Sequence, residues 1–144
     1  MKIHHICQDN KSSGCGPACI AMIVGRDYDE VREIMFPSQT RGLWTGYADL
    51  RKALVKFGAK PIGKAVRAAR FEVADEICIF AVKKSSDKER WHWVVYDPSS
   101  RLVYDPLLSA PLHFEEKLNK RYRPFSRQAV KLPARPPHTP LKAR

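Results

Sequence analysis

A cysteine bracketed by glycines, in Ser13-Gly14-Cys15-Gly16-Pro17-Ala18-Cys19-Ile20-Ala21-Met22-Ile23, constrains this chain more than any other stretch. Gly14 and Gly16 allow a sharp turn and a close backbone approach around Cys15. Pro17 suits the first turn of a helix, where its missing N–H costs nothing. Good helix formers and apolar residues follow. The spacing therefore predicts a helix over 15–24, ended by Gly25. It puts Cys15 at the helix N-terminus, where free N–H groups and the dipole favour a thiolate. Cys15 is thus a candidate nucleophile in need of a base.

The base is offered by Trp91-His92-Trp93-Val94-Val95-Tyr96, and an orienting acid by Val103-Tyr104-Asp105-Pro106. Pro98-Ser99-Ser100-Arg101 between them reads as a turn, so the two segments form a β-hairpin. If Asp97 pairs with Leu102, Asp105 lies opposite Val94. It then sits diagonal to His92 on the same face. Asp97 has the opposite parity and points to the other face. Asp105 is therefore preferred over Asp97 as the partner of His92. His4, His5, His113 and His138 lack a comparable setting. Cys19 and Cys78 are read as core residues, as is at least one of Trp91 and Trp93.

The rest of the chain organises around these segments. Helices are expected over 27–35, with Asp27 at the N-cap, and over 47–57, capped by Thr45 and closed by Gly58. Trp44 looks exposed in the loop between them. From there the period changes to that of strands, over 59–66, 76–82, 91–97, 102–105 and 124–132. Residues 76–82 are almost continuously apolar and read as central. A short helix is expected over 113–122. Helices first and an antiparallel sheet afterwards give an α+β domain. It spans residues 1–132 and is followed by a basic, Pro-rich tail, 133–144, expected to be disordered.

The formal net charge of +11 is uneven. Residues 111–144 hold nine Lys or Arg against two Glu, a net +7, so the excess belongs to the C-terminal segment. Such charge suits nucleic acid, acidic protein or a membrane surface, with Tyr122 and Phe125 as candidate base-stacking residues. A solvated tail is the preferred reading, because no nucleic-acid motif accompanies the charge. Four cysteines in 144 residues do not form a disulfide scaffold. Their spacing, and that of His4, His5 and Cys7, lacks the ligand pattern of a metal site, so neither metal nor cofactor is expected. No apolar run has the length of a membrane span and the first residues lack a signal-peptide core, which points to a cytoplasmic setting.

Over residues 3–108 the chain resembles the papain-like peptidases that cleave after double-glycine leader peptides, in stand-alone form. That family's pattern of Gln, then Cys-Gly-x-Ala-Cys-x-Ala-Met, is matched by Gln8 and Cys15-Gly16-Pro17-Ala18-Cys19-Ile20-Ala21-Met22. Its Asp-Leu-x-x-Ala-Leu helix ending in Gly is matched by Asp49-Leu50-Arg51-Lys52-Ala53-Leu54 and Gly58. Its closing His strand and Asp-Pro are matched by His92-Trp93-Val94-Val95 and Asp105-Pro106. Two positions depart from the pattern. Gly14 stands where the family carries an acid, and Gln8 precedes the Cys by seven positions rather than six. The resemblance implies a papain-like fold and a Cys15–His92–Asp105 triad. It also implies an oxyanion donor at Gln8, with Asn10 as the alternative. The reaction expected is hydrolysis of a peptide or isopeptide bond in a protein or peptide substrate, through a thioester. A deamidase or acyltransferase would use the same triad. A non-catalytic binding module of the same fold, engaging nucleic acid or acidic partners, is the rival from another class.

Overall fold

The computed structural model describes residues 3–8, 14–39, 43–83 and 91–134. Asn10, the charged stretch 84–90 and the tail from 135 onward lie outside the described residues. Three helices come first: α1 (Cys15–Val24), α2 (Tyr28–Met35) and α3 (Tyr47–Lys56). Strands β1 (Lys60–Arg67), β2 (Cys78–Val82), β3 (His92–Asp97), β4 (Leu102–Tyr104) and β5 (Leu112–His113) follow, then α4 (Lys117–Tyr122) and β6 (Pro124–Lys131). A 3₁₀ turn at Phe71–Val73 interrupts the run between β1 and β2. The six strands form one antiparallel sheet in the order β1-β6-β2-β3-β4-β5. The fold is α+β, with the N-terminal helices laid on a C-terminal antiparallel sheet.

All ten residues of α1 are buried. A helix apolar all round belongs in the centre of a domain, and α1 sits between the sheet and the other two helices. Gly25 ends it in the left-handed conformation at φ 72°, its N–H bonded to the Ala21 carbonyl. The start of α1 is packed as tightly as its end. A Cβ on Gly16 would lie 2.4 Å from the Thr45 hydroxyl, so only glycine fits against the 43–46 segment. Thr45 is not the cap expected of it. Its hydroxyl donates to the Leu43 carbonyl at 2.9 Å, and Asp49 caps α3 by accepting the Gly46 N–H at 2.9 Å.

Alternation along the strands splits the core in two. On one face Ile79, Ala81, Trp93, Val95, Tyr104 and Val130 meet α1, α2 and α3. On the other, Phe80, Val82, Val94, Tyr96 and Val103 pack under Phe71, Phe114, Leu118 and Tyr122. Phe71 is the hub of this second core, with the rings of Phe80, Tyr96, Tyr122 and Phe114 all within 6.4 Å. Burying one such side chain contributes roughly 1.5–3 kcal/mol. Residues 71–73 and α4 are thus held on the sheet by apolar contact, although they have little secondary structure of their own.

Two element boundaries differ from the expected ones. Residues 113–122 do not form one helix: Leu112 and His113 pair with Val103 and Leu102, and only Lys117–Tyr122 is helical. The strand expected from residue 76 begins at Cys78. At 112–113 long-range pairing overrides local propensity, whereas Glu76 and Ile77 lie just before the ladder, with the Ile77 carbonyl accepting from Val130 N–H. Pro133, counted with the tail, is buried. Among the described residues no helix is long and apolar enough to cross a membrane.

Candidate active site

Cys15 is the first residue of α1 and is buried. His92 is the first residue of β3 and 9% exposed, and Asp105 follows β4 and is 0% exposed. The hairpin has the register expected, with Asp97 opposite Leu102 and Val95 opposite Tyr104. His92 and Asp105 therefore project to the same face. Their contact is direct: His92 Nε2–H donates to Asp105 Oδ1 at 2.7 Å. The ring is also near enough to Cys15 for that thiol to act on its protonation.

The electrostatics follow from burial and these contacts. Burial by itself pushes the His92 imidazole down. Hydrogen bonds to Asp105 and Cys15, with the electrostatic pull of the same groups, outweigh it and raise the ring to about 9. Burial by itself pushes the Asp105 carboxyl up. The bond and charge from His92, the Tyr122 hydroxyl and the Leu107 N–H outweigh it and hold the group well below the usual carboxylate range. At neutral pH the pair is imidazolium and carboxylate.

The sign of the resulting pH dependence is fixed. His92 has its pKa raised on folding, so its stabilisation is complete below its ordinary value of 6.5 and is lost as pH rises through about 9. Asp105 has its pKa lowered, so its stabilisation is present above its ordinary 3.8 and is lost as pH falls below it. The urea midpoint is expected to be flat between about pH 4 and 6.5 and to decline towards pH 9. A His92→Gln variant should lack the alkaline decline. A ring resonance of His92 titrating near 6.5 in the folded protein would contradict this arrangement.

Asp105 is held from three sides. Leu107 N–H donates to Oδ1 at 2.9 Å and the Tyr122 hydroxyl donates to Oδ2 at 2.6 Å. The loop that supplies Leu107 also clamps the N-terminal arm. Gln8 N–H donates to the Pro106 carbonyl at 2.9 Å, and His5 Nε2 and Cys7 Sγ both donate to the Leu108 carbonyl. Gln8 is thereby buried on an arm fixed beside the Asp105 loop. The link from Gln8 to Gly14, with the alternative donor Asn10, is outside the described residues.

The remaining candidates fall elsewhere. Asp97 accepts from the N–H and hydroxyl of Ser99 at 3.0 and 2.8 Å, so it closes the hairpin turn. Cys19 is fully buried one turn beyond Cys15, and its thiol is pushed up by burial first and then by Cys15 and Asp105. Trp93 is buried and donates its indole N–H to the Thr45 carbonyl at 3.2 Å, which holds the 43–46 segment against Gly16. Trp44 and Trp91 are 46% and 43% exposed. Tyr122, a candidate stacking residue only in the rival nucleic-acid reading, is 0% exposed and bonded to Asp105. It is therefore unable to stack on a base. Phe125 is half-buried against the first core, which leaves that surface without the aromatic pair proposed for it. Tyr122 and the Leu107 N–H are the contacts that the sequence reading missed. Only the closeness of Leu107 to Asp105 could have signalled either.

Among solved structures, the chain is similar to a double glycine motif protease from an AMS/PCAT transporter, solved in complex with the leader peptide. The TM-score is 0.64 at 16% identity, over 91% of this chain and 92% of that one. The chain thus has the papain-like cysteine protease fold. No protein-family model and no curated protein matches it.

Proposed function

We propose that this protein is a cysteine hydrolase that cleaves a peptide or isopeptide bond through Cys15, His92 and Asp105. The observation that carries the reading is the His92 imidazole, hydrogen-bonded at 2.7 Å to a fully buried carboxylate and raised in pKa by the Cys15 thiol as well as by Asp105. A structural pair would need only one of these partners. Nucleophile, proton carrier and orienting acid in one line are what acyl transfer needs.

In this reading Cys15 sulfur attacks the substrate acyl carbon. His92 gives its proton to the leaving amine, so the C–N bond breaks and a thioester remains. His92 then takes a proton from water, which attacks the thioester and frees Cys15. Asp105 keeps the ring oriented and the imidazolium stable throughout. The side-chain amide of Gln8 and the Cys15 backbone N–H serve as oxyanion donors, each worth about 3 kcal/mol in the transition state. A peptide as substrate is supported by the similar structure, which was solved in complex with the leader peptide.

The test is a peptide carrying a C-terminal vinyl ester, an acyl donor that leaves its acyl group on an activated thiol as a thioester, quenched in acid before water releases it. Mass spectrometry is expected to find the adduct on Cys15, and not on Cys7, Cys19 or Cys78. Labelling should fall by at least about 100-fold in His92→Ala, in line with the usual worth of general acid–base catalysis. Equal labelling without His92, or an adduct confined to another cysteine, would sink the proposal. Assays of natural peptide mixtures then separate the chemistries: new N-termini mark a peptidase, and released ammonia marks a deamidase.

A further inference from the structure

We propose that Tyr122 is a positioning residue of this site, whose hydroxyl fixes the rotation of the Asp105 carboxylate so that Oδ1 stays aimed at His92. The inference rests on the reading of Cys15, His92 and Asp105 as the reacting centre. The last torsion of a short carboxylate side chain is broad, and each hydrogen bond to either oxygen narrows it. Here Oδ1 accepts from His92 and from Leu107 N–H, and Oδ2 accepts from Tyr122 at 2.6 Å. Rotation about the Cβ–Cγ bond moves both oxygens at once. The Tyr122 hydroxyl on Oδ2 therefore opposes the same rotation as the two donors on Oδ1 and narrows it further.

Tyr122 is equipped to be a fixed donor. Its ring is 0% exposed, sits 6.0 Å from the Phe71 ring in the second core, and carries the Arg121 guanidinium 5.5 Å from its centroid. It is the last residue of α4, and the chain then turns at Arg123 through a left-handed φ of 55° into β6. Burial and donation to Asp105 both keep the phenol protonated across the range in which His92 titrates. The hydroxyl is thus a donor at every working pH. Among the described residues the groups facing Asp105 include His92 from β3, Tyr122 from α4 and Leu107 N–H from its own loop, with Cys15 and Cys19 of α1 within electrostatic reach of the pair.

The experiment compares Tyr122→Phe with Phe71→Leu. The first deletes one oxygen and keeps the ring. The second disturbs the same core and leaves the hydroxyl in place. Two readouts are taken on the full chain: the titration midpoint of the His92 ring by NMR, and the saturating rate and half-saturating concentration of Cys15 acylation by the peptide vinyl ester. Tyr122→Phe is expected to slow the saturating rate by roughly 10–100-fold, the scale of a lost supporting contact. The half-saturating concentration should hardly change, and the His92 midpoint should fall below the wild-type value. Phe71→Leu should lower thermal stability and change neither readout. The proposal is overturned if Tyr122→Phe lowers thermal stability and leaves both readouts alone, or if Phe71→Leu moves them equally. Should the wild type fail to acylate at all, the enzymatic reading falls, and the His92 midpoint still decides the role of Tyr122.

Discussion

Cys15→Ala and His92→Ala are each expected to remove turnover, by about 10³-fold at the least and up to about 10⁶-fold. Loss of either leaves the acyl carbon without a nucleophile or the nucleophile without a proton acceptor, so the two losses should not add. The chain should still fold. Cys15→Ala deletes one sulfur at the start of a buried helix and costs on the order of 1 kcal/mol. His92→Ala is harsher, because it strands the buried Asp105 carboxylate. Breaking such a pair costs about 3–5 kcal/mol, a large share of a typical domain stability of 5–15 kcal/mol. His92→Gln, which keeps an N–H near Oδ1, provides the milder companion. Cys19→Ala is the control, and turnover should stay within a few-fold of wild type. Circular dichroism and thermal melts run beside the kinetics would separate lost chemistry from lost fold. Full activity in folded Cys15→Ala would end the present reading of the site.

Asp105→Asn is expected to lower kcat/KM by about 10⁴-fold. The substitution is nearly isosteric, so the packing around Tyr122 and Leu107 survives. The charge does not. An amide has one acceptor oxygen where the carboxylate uses two, to hold His92 and Leu107 N–H on one side and Tyr122 on the other. Whichever way it is turned, one of these donors is left facing an N–H₂ group. If the amide nitrogen faces His92, Nε2 must become an acceptor and the ring proton moves to Nδ1. The neutral imidazole then presents an N–H to Cys15 where the reaction needs an acceptor. The His92 midpoint should fall from about 9 to below its ordinary 6.5, since burial alone pushes it down. A variant that kept both the midpoint and the rate would mean that Asp105 contributes packing alone.

What could be read from the sequence was local. Gly14 and Pro17 mark the start of α1 within three residues of Cys15, so the nucleophile's place on a helix N-terminus needs no tertiary information. The even-length turn between Asp97 and Leu102 fixes the hairpin register, and parity alone then separates Asp105 from Asp97. What could not be read was long-range. Thr45 is a plausible cap by propensity, but the approach of Gly16, from a segment far back in the chain, draws it elsewhere. His113 looks helical until the partner strand β4 takes it, together with Leu112. Tyr122 meets Asp105 only because α4 returns across the second face of the sheet, which no periodicity in 113–122 announces.

The position of β6 has a consequence for how the protein is made. This strand, the last in sequence, lies between β1 and β2 in the sheet. Its Gln128 side chain reaches back to the carbonyls of Ile62 and Gly63, and its backbone pairs with β2 on the other side. A chain emerging from the ribosome therefore presents β1 and β2 with an empty slot until Lys131 has been made. The contacts that close the slot have high sequence separation, which makes this the slow step of assembly. Tyr122 precedes β6 by two residues, so α4 is drawn onto the sheet in the same event. Cys15 is synthesised well before α4 and β6, yet the carboxylate that steadies its base gains its last support only with them. A nascent chain would carry a cysteine with no organised partner, and chemical competence would arrive with completion of the sheet rather than build up gradually during synthesis.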